Sequence, residues 1–426
     1  MANLDPPNRS EITSAKSNAE RRAIEIVDTT FRDGQQSPLL FDTEKYRFSL
    51  EEKKQLLAGL MELGVTHFEF FSPVVGEAEA QDVQELMDFA RQRSRRPLMF
   101  LAHCRCHPAD IQAAMEAGFN GLNLYLGVSP LAQQHNAQKS LEEGIALARS
   151  VVRETRAAHP GLYLRFSAED AFRTPLQDLY CLYDALYPYV NTFGMPDTVG
   201  LAEPEDVRRV VQSLRERYPE VALECHFHND RGLAFANVLA AARAGVRYVD
   251  ASIWGLAERS GIPSVTGVLF NLSKHRPELF EQYNLSQCYP LNVLMASILG
   301  TLVPYTEPVS LTNRTHTAGV HQKAVLNEKK VYEAHNLHDF GVDKNQLLLG
   351  PLSGWHLIYY YLKEVENFVI SKDQAREIAQ LFKGRTAEIG RAKKPEELLL
   401  ELAELHDLKR HTLPEEVPTA RLENLD

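Results

Sequence analysis

From Ile24 onward, short β-rich runs alternate with longer stretches in which apolar residues recur every three or four positions. These are the periods of a strand and of an amphipathic helix. Eight runs predict strands: Ile24–Asp28, His67–Phe71, Leu98–His103, Gly121–Leu126, Leu162–Ser167, Val190–Gly194, Ala222–His228 and Tyr248–Ile253. Between them the spacing predicts helices over Glu51–Leu63, Glu77–Arg93, Leu141–Ala158, Glu203–Tyr218 and Leu233–Ala244. Eight βα units in succession close a (β/α)8 TIM barrel. An open doubly wound sheet would carry a glycine-rich fingerprint after its first strand, whereas Asp28 is followed by Thr29, Thr30, Phe31, Arg32, Asp33 and Gly34, so the barrel is expected.

The pattern changes after the eighth unit. Residues 290–354 read as an irregular linker with His316, His321, His335 and His338, and helical spacing returns over Trp355–Phe368, Lys372–Lys383 and Lys394–Leu408. The expected organisation is therefore α/β: a flexible tail (1–22), the TIM barrel (23–289), a linker or lid (290–354) and a small C-terminal helical domain (355–426). The acidic end after Pro414 is expected to fray.

Composition narrows the class. The 426 residues include 46 Lys+Arg and 57 Asp+Glu, a net charge of −11, which argues against a nucleic-acid partner held through phosphates. Five scattered cysteines do not form a disulfide framework and point to a reducing cytoplasm. Cys104, Cys106 and His107 are too few for a closed zinc site without distant partners, so buried thiols are expected. With no apolar run of 18 residues and a polar N-terminus carrying Pro6 and Pro7, neither a membrane span nor a signal peptide is expected.

In a TIM barrel the chemistry gathers at the C-terminal ends of the strands. Strand one ends in Arg32 and Asp33, strand two carries Glu69, strand three ends at His103, strand five carries Arg165, Ser167 and Glu169, and Asp197 and Thr198 follow strand six. Strand seven reads Glu224-Cys225-His226-Phe227-His228. Residues i and i+2 of a strand share a face, so His226 and His228 converge while Phe227 points away. Two imidazoles need a carboxylate to complete a divalent-metal site, and Asp33 can supply it from strand one, two places from strand seven in a closed barrel. The adjacent Arg32 would stabilise an oxyanion developing on a metal-polarised carbonyl.

The run Asp28–Gln36 (D-T-T-F-R-D-G-Q-Q), with E-C-H-F-H-N-D at Glu224–Asp230 and G-L-A-E-R-S-G at Gly255–Gly261, resembles the metal-dependent Claisen-condensing barrels: homocitrate, isopropylmalate and citramalate synthases, with hydroxymethylglutaryl-CoA lyase as a cousin. The resemblance covers roughly Ile24 to Leu362. Within this group the chain is most similar to the homocitrate synthases, through His103–His107, Arg165–Arg173, Asp197–Gly200 and Thr315–His321. It leaves no room for the extra regulatory domain of long isopropylmalate synthases and lacks the lyases' cysteine-bearing glycine loop. The resemblance implies a divalent metal (Zn, Mg or Mn) on Asp33, His226 and His228, with Arg32 polarising the ketone of a 2-oxo acid. His103, Arg165, Ser167 and Thr198 would hold its remote carboxylate, and Glu69 and Glu224 match active-site carboxylates. It further implies acetyl-CoA as co-substrate and a homodimer with exchanged C-terminal regions. Each subunit would then insert His321, the expected base, and Tyr332 over its neighbour's site.

Some positions depart from the homocitrate pattern: Asn123 for an Asp, Gln133 for an Arg, Gly194-Met195-Pro196 ahead of Asp197, and Trp254-Gly255-Leu256-Ala257 for a glycine-rich run. Such changes bear on which keto acid fits. They leave open the same chemistry on oxaloacetate, phosphonopyruvate, 2-oxoisovalerate or pyruvate, and a metal-dependent acyl-CoA lyase.

Overall fold

The computed structural model describes residues 24–137, 139–388 and 393–411; the expected N-terminal tail and acidic C-terminal end lie outside them. Eight parallel strands close in sequence order: β1 (Glu25–Asp28), β2 (His67–Phe71), β3 (Met99–Arg105), β4 (Gly121–Gly127), β5 (Tyr163–Glu169), β6 (Thr192–Asp197), β7 (Ala222–Phe227) and β8 (Tyr248–Ala251). The ring shuts where Val27 of β1 pairs with Asp250 of β8. The expected TIM barrel is the architecture found.

The helices form where local chemistry starts and stops them. Leu50–Leu63 opens on a capping box, in which Ser49 accepts from the Glu52 N–H and Glu52 reaches back to the Ser49 N–H, and closes on Gly64 at φ 107. Ser140 and Glu143 cap Leu141–Ala158 in the same way. Such caps satisfy N–H groups that the first turn leaves orphaned. The longer helices around the barrel turn an apolar stripe inward, as with Leu56, Leu57, Leu60 and Leu63, all 0% exposed.

The described chain divides into two compact units, one of residues up to Ser310 with His338–Gly341, the other of Leu311–Leu337 and residues from Val342 onward. The stretch 290–354, read as irregular, contains most of the helix Cys288–Leu299 and the helix Gly319–Asn327. Pro290 lies in the first turn of the former, where a missing N–H breaks no intrahelical bond. In the second unit, two short strands, β9 (Thr315–His316) and β10 (Gln346–Leu347), pair in parallel. Its core comes from Leu357, Ile358, Leu362, Ile378, Phe382, Leu399 and Leu402. Among the described residues, no helix is long and apolar enough to cross a membrane.

Candidate active site

The alternation of β7, carried one residue past its end, brings two histidines together. His226 and His228 lie on one side, their Nε2 atoms 3.3 Å apart, while Phe227 is buried on the other side against Phe172. Asp33 opens a short 3-10 turn after β1, and its Oδ2 lies 3.2 Å from His226 Nε2 and 4.0 Å from His228 Nε2. Among the described residues, this is the one group of three or more His, Cys, Asp or Glu side chains whose ligand atoms converge, all within 4.8 Å of one another.

These residues fit a divalent cation. Asp33 Oδ2 is buried and accepts no hydrogen bond of good geometry, an expensive vacancy for a carboxylate unless a cation completes it. The Nδ1 of His226 faces Asp250 Oδ2 at 3.2 Å. That contact places the ring proton on Nδ1 and leaves the Nε2 lone pair for a metal, the outer support typical of histidine ligands.

A charged lattice surrounds this set. Arg32 reaches Asp33 Oδ2 from Nη1 at 3.2 Å and Glu69 Oε1 from Nη2 at 2.9 Å. Burial raises the Asp33 carboxyl, but Arg32 and the two histidines outweigh it and hold the group below the ordinary range. Glu69, fully buried, also accepts from Arg165 and from Asn123 Nδ2 at 3.0 Å, and lies 3.2 Å from His103 Nδ1. It too stays ionised: burial pushes it up, but Arg165 and Arg32 pull it far down. Arg165 donates to both oxygens of Asp250, at 3.0 and 3.2 Å, and its Nε, 3.8 Å from Glu224 Oε2, has no hydrogen-bond partner. Neither oxygen of Glu224 is hydrogen-bonded; burial, with repulsion from Asp250 and Glu69, pushes this carboxyl up to about 8 against the pull of Arg165. Two neighbouring carboxyls thus differ in charge because one receives donors and the other does not.

A cavity of about 220 Å³ opens on this lattice, lined by Arg32, His103, Arg165, Ser167, Thr198, Glu224, His226 and His228 together with Asn123, Tyr125, Glu169, Pro196 and Asp250. Ser167 Oγ donates to Asn123 Oδ1 at 2.8 Å, and Thr198 Oγ1 accepts from the Asp170 N–H at 2.9 Å. His321 and Tyr332 belong to the second unit, where their rings stack at 3.9 Å. Of the departures noted in the sequence, Asn123 and Pro196 line the cavity; Trp254, in a left-handed backbone conformation, and Gln133, which donates to the Val128 carbonyl, do not. Cys104 and Cys106 are buried thiols, pushed by burial up to about 12, and His107 caps a helix by accepting from the Ala109 N–H.

Sequence reasoning missed Asp250 and Tyr125. Asp250 holds both His226 and Arg165, and Tyr125 stacks on His103 at 4.4 Å. The signal for Asp250 was an acid inside the apolar run Tyr248-Val249-Asp250-Ala251.

A closed parallel barrel with an Asp-His-His set beside an arginine at its C-terminal mouth defines the class, a barrel enzyme built for metal-assisted chemistry at a carbonyl. Residues 23–294 match the HMGL-like family model and residues 309–389 the model described as homocitrate synthase post-HMGL domain-like. The chain belongs to the HMGL-like family. It is 31% identical to the cytosolic homocitrate synthase isozyme of Saccharomyces cerevisiae over 84% of this chain and 81% of that protein. It is 32% identical to the mitochondrial homocitrate synthase of Schizosaccharomyces pombe, over 87% and 85% respectively. A 2-isopropylmalate synthase of Sediminispirochaeta smaragdinae is 30% identical over 85% of this chain and 71% of that one. Hydroxymethylglutaryl-CoA lyase from Pseudomonas aeruginosa shares the fold, with a TM-score of 0.56 and 19% identity over 67% of this chain and 96% of that chain.

Proposed function

We propose that the protein joins acetyl-CoA to 2-oxoglutarate and hydrolyses the resulting thioester, releasing CoA and homocitrate. The observation that carries this reading is the convergence of Asp33, His226 and His228, with His226, His228 and the neighbouring Arg32 lining the cavity. A divalent cation on these three residues would supply Lewis acidity toward a keto group. Arg32, its guanidinium steadied by Asp33 and Glu69, stabilises the negative charge that develops on the ketone oxygen as the new C–C bond forms. Arg165, His103, Ser167 and Thr198 hold the remote carboxylate. Arg165 keeps one unpartnered N–H, and the Thr198 oxygen already accepts from Asp170, so its own proton is free to be donated. His321 takes the methyl proton of acetyl-CoA, beside Tyr332, and water then cleaves the thioester. The match of the second unit to a homocitrate-type model favours 2-oxoglutarate over the isopropylmalate-type and lyase alternatives.

The working form on this reading is a homodimer in which His321 and Tyr332 serve the partner's barrel. Both are exposed, next in sequence to the exposed Val320 and Val331, the kind of surface an interface covers. The free cysteines fit a reducing cytoplasm. A panel of 2-oxo acids with acetyl-CoA and a divalent metal, read as free thiol, tests the reaction. 2-Oxoglutarate should release CoA fastest. Faster release with 2-oxoisovalerate, pyruvate or oxaloacetate would reassign the substrate, and no release with any of them would reject the reaction.

A further inference from the structure

His321 and Tyr332 are exposed, yet each is followed in sequence by a polar residue, one buried and one half-buried, tied to one common point. Gln322, 0% exposed, donates from Nε2 to the carbonyl oxygens of His316 at 3.1 Å and Leu348 at 2.6 Å. Glu333, with its side chain 5% exposed, accepts on Oε2 from Arg314 Nε at 3.1 Å and Nη2 at 3.0 Å. Its Oε1 lies 3.1 Å from His316 Nε2 and 3.4 Å from Asn345 Nδ2. Arg314 is itself anchored by Nη1 on the Val342 carbonyl. The two tethers therefore meet at His316, one on its carbonyl and the other on its imidazole. The His316 ring lies 6.3 Å from that of His321 and 6.5 Å from that of Tyr332.

Apolar side chains of similar volume could hold such a cluster together at least as well, so this part-buried ionic network is weak as a source of stability and stronger as a device that specifies one geometry. We infer that Glu333, with Arg314 and His316, is a positioning residue that fixes the His321–Tyr332 stack. The inference rests on the reading of His321 as the base. Glu333 hydrogen-bonds to neither ring of the pair; it acts by locking the backbone of Tyr332 to the strand from which the His321 helix is hung.

The test compares turnover of acetyl-CoA and its methyl-deuterated form by the full-length, metal-loaded enzyme. Glu333→Gln keeps the shape and removes the charge. A loosely held base should lower kcat about 10- to 100-fold, leave KM for the keto acid within about twofold, and raise the deuterium isotope effect because proton abstraction becomes rate-limiting. Arg314→Lys, which keeps the charge and loses the fork, should raise the isotope effect less. A purely structural role would lower kcat in proportion to the folded fraction, with the isotope effect unchanged, and that result overturns the inference. If Glu333→Gln does not fold, Arg314→Lys and Asn345→Ala are read in the same way, and an unchanged isotope effect in both overturns it equally. His321→Ala separates the levels. Full activity in that variant rejects the base assignment itself, whereas an inactive His321→Ala beside unchanged isotope effects rejects only the positioning role.

Discussion

Asp250→Asn removes one negative charge from the centre of the charged lattice and almost no volume. Asp250 is 1% exposed, faces His226 Nδ1 at 3.2 Å, and accepts from Arg165 at 3.0 and 3.2 Å. Two effects follow. Arg165 retains Glu69, and Glu224 lies 3.8 Å from its Nε; with Asp250 no longer repelling it, Glu224 ionises more readily and offsets part of the lost charge. His226 has no such substitute. An asparagine can still accept from Nδ1–H, but without the charge that makes the imidazole a stronger donor to a cation. Loss of an outer-shell carboxylate typically costs 10- to 100-fold in metal affinity, about 1.4–2.8 kcal/mol. Competition between the protein and a metallochromic chelator for Zn²⁺ or Mn²⁺ reads this directly, with His226→Ala as the reference for loss of a ligand. An affinity within twofold of the wild type in Asp250→Asn, with His226→Ala impaired, would refute the claim that Asp250 supports the metal site.

Burial pushes the carboxyl of Asp28 from an ordinary 3.8 up to about 7. Between those values the folded state keeps a proton that the unfolded chain has released, so stability is greatest at the acid end and falls as pH rises through the window, by an upper limit of about 4 kcal/mol. Urea midpoints at pH 5 and pH 7.5 should therefore separate less in Asp28→Asn than in the wild type; equal separations would disprove the assignment. At Gly194, an added Cβ would meet Ser167 Oγ at 2.3 Å and Glu224 Oε2 at 2.6 Å. Gly194→Ala should thus lower kcat/KM for the keto acid by at least about tenfold with an unchanged circular dichroism spectrum, and wild-type kinetics would show that this wall is not used. Mixing inactive Asp33→Ala and His321→Ala proteins should restore activity once tagged copurification confirms exchanged subunits. Confirmed heterodimers without activity would mean that His321 does not serve a partner's barrel.

The barrel was legible because each of its units is local. The helix Glu77–Arg93 has the same bounds in sequence pattern and structure, and the convergence of His226 and His228 follows from the two-residue period of a strand alone. Asp33 was within reach of the same reasoning, since closing the ring brings β1 within two strands of β7. The acid inside an apolar run marks Asp250, but its partners were not legible, because they come from β8 lying between β7, which carries His226, and β1, and from Arg165 crossing from β5. No periodicity encodes a contact between residues 85 positions apart. The second unit hid its order for the same reason. Arg314, His316, Glu333 and Asn345 resemble loop polarity in sequence and form a part-buried cluster only when β9 and β10 pair.

The most direct measurement is the mass of the product formed from 2-oxoglutarate and acetyl-CoA carrying ¹³C in its methyl group, with a divalent metal and again after chelation. A metal-dependent condensation should give a seven-carbon tricarboxylate bearing one label, equimolar with released CoA, that disappears on chelation and returns when metal is restored. CoA release that yields only labelled acetate, or a labelled tricarboxylate formed equally well without metal, would contradict it.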